Sequence, residues 1–153
     1  MSNLSQDQLA EYARAVYEVE VDGRWTEAST LPLTDASGTG ALISACNPYS
    51  QLLPEFENSQ RHQRLRDEIA ASGYRCWPAR GRSTDAAWVE PGFLVLAPLA
   101  QIDSWARAFG QHAVWLASGS GHSPSLRVYS RFDGEHPPAQ SGGMGIDWVA
   151  APN

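Results

Sequence analysis

The sequence contains no lysine; all eleven of its basic residues are arginine. A Walker-type phosphate loop, which needs a lysine to reach the phosphates, is therefore excluded, and so is Schiff-base chemistry. Cysteine is scarce as well. Cys46 and Cys76 lie far apart with no Cys-x-x-Cys spacing, and His62, His112, His122 and His136 are scattered, so no metal site and no cofactor are expected. Both thiols read as small hydrophobes of the core, on non-adjacent strands and unfit for a disulfide. No apolar run approaches the roughly 20 residues that cross a bilayer. The opening Met-Ser-Asn-Leu-Ser-Gln-Asp-Gln has neither the basic nor the apolar region of a signal peptide, which points to a cytoplasmic location. A net charge of −6 lacks the basic footprint of general nucleic-acid binding. Neither nucleic acid nor membrane is expected as a partner.

What is present suits one domain. The 153 residues, 42% hydrophobic and 18% charged, suffice for a core without disulfide or metal staples. Near the start, Ser5 and Gln8 form a capping-box pattern between Leu4 and Leu9, so a helix runs to about Arg14. Tyr17, Val19 and Val21 alternate with Glu18 and Glu20 as in a half-exposed strand, and Asp22-Gly23 is a hairpin turn leading into Arg24-Trp25-Thr26. Residues 29–40, rich in Ser, Thr, Pro and Gly, read as loop.

The core is expected over residues 41–117. It comprises a strand at Ala41–Cys46, a helix between Pro54 and Gly73, and a strand at Tyr74–Pro78 followed by an arginine loop at 79–83. A central strand at Phe93–Ala97, a helix ending at Gly110 and a strand at Ala113–Ala117 complete it. That order, βαββαβ, predicts an α+β, ferredoxin-like antiparallel sheet with both helices on one face and the other face open. The segment 118–125 reads as a flexible link and Leu126–Phe132 as an added edge strand. From Asp133 the Pro- and Gly-rich tail reads as mobile, with Trp148 able to dock.

No motif specifies a reaction, but several residues suggest a binding site. Asn47-Pro48-Tyr49-Ser50 joins a strand to a helix start, where Asn47, Ser50 and free N–H groups could hold an anion; the same residues are also ordinary turn formers. The helix stripe Leu65–Ile69, run backwards, reaches Arg61 or His62 and then Asn58, so a core-facing stripe turns polar near that turn. A guanidinium there could grip a carboxylate or phosphate, or pair internally with Glu90, Glu55 or Glu57. Between Arg61 and Arg82 six arginines face only Asp67 and Glu68, a local balance of +4 (six minus two) in an acidic chain. Arg80-Gly81-Arg82 could clamp an anion. Glu90 is the best single carboxylate for acid–base work, and Gln111 could turn into the same pocket. Trp77 and Trp88 flank the arginine loop and could stack a planar ligand.

As a set, Asn47-Pro48-x-Ser50, Glu57-Asn58-x-x-Arg61-x-x-x-Leu65, Gly81, Phe93-Leu94-Val95 and Phe109-Gly110-Gln111-x-Ala113 resemble the bacterial domain of unknown function family 3293, over roughly Ala41 to Leu116. The resemblance implies a small bacterial protein and transfers positions rather than chemistry. The resulting expectation is a binding domain for a small anionic ligand, phosphate, carboxylate or nucleotide-like, held by Asn47, Ser50, Asn58, Arg61, Arg82, Glu90 and Gln111. The alternatives are a protein-interaction module or homodimer using the open sheet face, and a small enzyme with Glu90 or His62 as acid–base.

Overall fold

The computed structural model describes residues 3–31, 33–35, 38–117 and 123–149. Helix α1 (Gln6–Arg14) begins at the cap read from the sequence: Ser5 Oγ accepts from the Gln8 amide at 3.2 Å, and the Gln8 side chain accepts from the Ser5 amide at 2.9 Å. Leu4 and Leu9 are fully buried on either side of it. Strands β1 (Val16–Val21) and β2 (Arg24–Glu27) form the expected hairpin, with Asp22 and Gly23 both at positive φ as a twist-matched two-residue turn requires.

The short strand β3 (Thr34–Asp35) and β4 (Gly38–Ile43) follow, then α2 (Glu55–Ser72), which stops at Gly73 with φ 78°. After it come β5 (Cys76–Arg82), β6 (Val89–Ala97), α3 (Leu99–Ala108) and β7 (Ala113–Leu116). The described chain ends with β8 (Ser125–Val128), β9 (Gln140–Ser141) and β10 (Met144–Trp148).

These strands make one sheet in the order β2-β1-β5-β6-β4-β7-β8-β10-β9, with β3 paired to β4. Pairing is antiparallel except between β8 and β10, so the sheet is mixed and larger than the four antiparallel strands expected. Alternation along the strands divides the core in two. Ala41, Ile43, Phe93, Val95 and Val114 meet Leu65 and Ile69 of α2 and Ile102, Trp105 and Ala106 of α3. On the other face Leu42, Leu94, Trp115 and Leu126 meet Leu4 and Leu9.

That second face corrects one expectation. It is not open, because the chain before β1 lies across it, and Trp115 is buried there. Three further readings give way for identifiable reasons. The arginine loop at 79–83 is strand as far as Arg82, since Tyr17 to Val19 of β1 pair with Gly81 to Ala79 and extend the sheet on that side. Strand β8 is interior rather than an edge, because β10 pairs with it in parallel.

The tail after Asp133 is likewise built into the fold. Trp148 Nε1 donates to the Pro138 carbonyl at 2.8 Å and its ring meets Phe132 edge-on. Arg127 holds Asp103 of α3 bidentately at 2.7 and 2.8 Å and also pairs with Asp147 of β10. Cys46 is buried just beyond β4, whereas Cys76 at the start of β5 is exposed. The link at 118–122, including His122, lies outside the described residues.

Candidate functional site

Beyond Ile43 the chain leaves the sheet and turns sharply. Asn47, Tyr49 and Ser50 all take left-handed backbone conformations, with φ of 46°, 52° and 59°. Asn tolerates that region; a tyrosine and a serine there imply that surrounding contacts hold the loop in place. Those contacts come from α2 and from the end of α3. The Asn47 amide donates to Asn58 Oδ1 at 2.9 Å, and Asn58 Nδ2 donates back to Asn47 Oδ1 at 2.8 Å. Asn47 Oδ1 also accepts from the Leu53 amide at 3.0 Å, and the Tyr49 amide donates to the Gly110 carbonyl at 2.7 Å. Gly110 is required here: its φ is 66°, and a Cβ would lie 2.9 Å from Pro48 Cβ.

Arg61 sits behind this loop. Its Nε donates to the Ala45 carbonyl at 2.6 Å, its Nη2 donates to the Phe109 carbonyl, and its guanidinium lies over the Phe109 ring. Gln111 Nε2 reinforces the same junction, donating to Cys46 O at 3.1 Å and Phe109 O at 3.2 Å. The cation thus faces one carbonyl beyond β4 and one at the C-terminal end of α3, where the helix dipole favours it. Glu90 is not its partner.

Glu90 lies on β6 opposite Gly81 of β5. Asn47 Nδ2 donates to Glu90 Oε2 at 3.3 Å. Burial pushes the carboxyl pKa upward, hydrogen bonds from Ser44 and Asn47 pull the other way, and no cation among the described residues offsets the burial. The sign of the linkage follows. A carboxyl that holds its proton more tightly in the folded state weakens the fold as pH rises from the ordinary glutamate range to the raised value. We therefore expect Glu90→Gln to be more stable than the wild type at neutral pH, with the difference shrinking below the ordinary glutamate pKa. Urea denaturation at both pH values measures this; equal stability throughout would mean the carboxylate is well solvated.

Glu90 faces a cavity of about 380 Å³ between α1 and the sheet. Ser44, Asn47, Ser50 and Gln111 line its polar end with Glu90; Leu42, Tyr17, Trp115 and Trp88 form aromatic and apolar walls. From α1 come Gln8, Glu11 and Tyr12. Tyr17 donates its hydroxyl to the Tyr12 carbonyl at 2.6 Å and stacks on Trp115 at 5.9 Å. Tyr12 Oη lies 3.2 Å from Ser50 Oγ, and burial pushes its phenol up to about 12. Tyr17 is raised as well, by burial first, then by the charges of Tyr12 and Glu90.

Four of the residues singled out from the sequence thus line one cavity: Asn47, Ser50, Glu90 and Gln111. Asn58 is one hydrogen bond behind it, and Arg61 serves the loop's rear. Arg82 lies elsewhere, sharing Glu18 with Arg80 at 2.8 and 2.9 Å. The other arginines of the positive segment are likewise dispersed: Arg64 lies over Phe109 and Arg75 over Trp77. His62 stacks on Phe93 at 4.5 Å, on the helix-covered side of the sheet, where burial lowers its pKa. Of the two tryptophans flanking the arginines, Trp88 lines the cavity.

Sequence reasoning missed Glu11, Tyr12 and Tyr17 as wall residues. The alternation of β1 marks Tyr17 as buried, but no local pattern tells α1 which face of the sheet to cover. Among the described residues no three His, Cys, Asp or Glu side chains gather as a metal site.

Residues 43–114 match a family model described as a protein of unknown function, DUF3293. No curated protein and no solved structure matches the chain. The polar end of the cavity and Trp88 fall inside the matched segment; α1 and Tyr17 fall outside it.

Proposed function

We propose that this chain, which carries the DUF3293 segment over residues 43–114, is a binding domain for a small molecule held between α1 and the sheet. The observation that carries the reading is a carboxyl, Glu90, facing a mainly apolar cavity large enough for a small ligand. Asn47, Ser50 and Gln111 would orient the ligand's polar end, and Tyr17, Trp88 and Trp115 would cover its body. Asn58 and Arg61 contribute by holding the loop. The strand order β5-β6-β4-β7, with α2 and α3 on one face, supports a ferredoxin-like core to which the remaining strands are added.

An anion is the less favoured occupant. It would share the cavity with Glu90 and Glu11 and meet no arginine or histidine among the described lining residues. A protein partner or a second copy of the chain is also less favoured, because the sheet face it would use is covered by α1. No described helix is long and apolar enough to cross a membrane; the reading is of a cytoplasmic protein.

A cavity-filling substitution tests the site. Gly81 lies on the cavity wall, and a Cβ there would meet only Tyr17 and Trp88 side chains, at 3.5 Å or more. Gly81→Val should fold normally, since a β-branched residue suits a strand, and should lose ligand binding. In a thermal-shift screen, a compound at a hundred times its dissociation constant stabilises the wild type by about 2.7 kcal/mol. Hits that shift Gly81→Val equally would place binding elsewhere and defeat the reading.

Glu90, whose carboxyl pKa is raised by burial, also favours a second reading, an enzyme with this carboxyl as its acid–base group. Recovery of a screening hit in altered form after incubation, read by mass spectrometry, would support it; unchanged recovery would leave binding alone.

A further inference from the structure

We propose that the cavity recognises an organic cation, an ammonium or amidinium group on a flat or apolar body, with Glu90 as its counter-ion. This rests on the reading of the cavity as a binding site and adds the chemical class of the ligand. Three observations carry it, and each concerns what the lining still has to offer.

The first is that no cationic side chain among the described residues pairs with the carboxylate. Glu90 accepts from Asn47 Nδ2 at 3.3 Å, while three arginines singled out from the sequence are committed elsewhere: Arg61 to Ala45 O and Phe109 O, Arg80 and Arg82 to Glu18. A partly buried charge with no cationic partner is costly, and a ligand cation would reduce that cost. Glu11 on α1 adds a second negative charge to the lining, and the phenol of Tyr12 is raised in part by both carboxylates.

The second is that the lining's principal donors are spent on the protein itself. Asn47 Nδ2 serves Glu90, Gln111 Nε2 serves two carbonyls, and the Tyr17 hydroxyl serves Tyr12 O. A ligand that brings donors fits such a lining; one that needs them does not. The third is the wall. Tyr17 and Trp115 stack nearly parallel, 27° apart, and Trp88 stands at 41% exposure on the same cavity. Aromatic faces attract a cation while accepting a planar body. A lone metal ion is a poor alternative, since Glu90 is the only carboxylate among the described residues at the polar end.

Three isosteres separate the possibilities: benzamidine, benzamide and benzoate share a ring and differ in charge. Calorimetric titration of the wild type should find benzamidine at least about tenfold tighter than benzamide, because a charged bidentate donor faces the carboxylate. Benzoate should not bind. Benzamidine binding should weaken as pH falls and Glu90 takes up its proton.

Glu90→Gln should abolish the preference for benzamidine over benzamide, and Gly81→Val should abolish binding of both. Benzamide or benzoate binding as tightly as benzamidine, with sensitivity to Gly81→Val, would overturn the cation and leave the cavity as a binding site. A benzamidine preference that survives in Glu90→Gln would overturn the role of Glu90. Failure of all three compounds would also overturn the proposal, and the broader screen would then decide whether the cavity binds anything.

Discussion

Arg61→Ala should lower the stability of the fold by about 3 kcal/mol, because a hydrogen bond from a charged donor contributes roughly 1.5–3 kcal/mol and this side chain makes two. Both acceptors, the Ala45 and Phe109 carbonyls, belong to buried residues. Gln111 Nε2 would still reach Phe109 O, which keeps the expected loss near the lower end of the summed range. Arg61→Lys should recover less than half of it, since one ammonium on a flexible stem cannot reproduce the guanidinium fork. A shift in the denaturation midpoint at unchanged slope is the readout. An alanine variant as stable as the wild type would show that the guanidinium does not hold the loop, and would free Arg61 for a ligand.

Gly92→Ala should cost a similar amount, about 3 kcal/mol, for the opposite reason: an added atom instead of a lost bond. A Cβ at Gly92 would lie 2.4 Å from the Ile43 carbonyl oxygen, 3.1 Å from its carbon and 3.3 Å from Ser44 Cα. Overpacking usually costs about 1–3 kcal/mol because a neighbouring side chain yields, and here every neighbour is backbone. The displaced chain is the one that leads from β4 to Ser44 and Asn47, so the cavity's polar end should distort as well. Gly81→Ala is the control on the paired strand, since only side chains stand near it at ordinary contact distance. It should be neutral or slightly stabilising. Equal behaviour of the two alanine variants in urea denaturation would show that the approach of Ile43 to Gly92 is looser than the geometry says.

The elements were legible wherever their signal is local. The cap at Ser5, the Asp22-Gly23 turn, and the helix stops at Gly73 and Gly110 are each written in a few neighbouring residues, and each stands where the sequence puts it. What was not legible depends on partners distant along the chain. Arg80-Gly81-Arg82 looks like loop until β1 arrives to pair with it, and Gln140 to Trp148 looks like tail until β8 offers a parallel neighbour. The site divides in the same way. Asn47, Ser50, Glu90 and Gln111 were visible because polar residues interrupt an otherwise apolar segment. The aromatic wall was not, since its assembly depends on which face α1 covers. The arginines misled for a physical reason: a guanidinium can be consumed by carbonyls, an aromatic face or a single carboxylate, and sequence shows only its charge.

The N-terminal anchor of α1 has a consequence for timing. The Leu4 amide donates to the Arg131 carbonyl at 2.8 Å and the Asp133 amide donates to the Leu4 carbonyl at 2.9 Å, so the residue just before the Ser5 cap of α1 is clasped by a segment distant along the chain. Synthesis makes α1 before residues 131–133, so the clasp can form only once those residues have emerged. Until then the cavity lacks a secured roof, and the aromatic floor beneath it waits uncovered. Occupancy of the cavity would then report more than the presence of a ligand: it would mark a chain in which Leu4 has met residues 131–133.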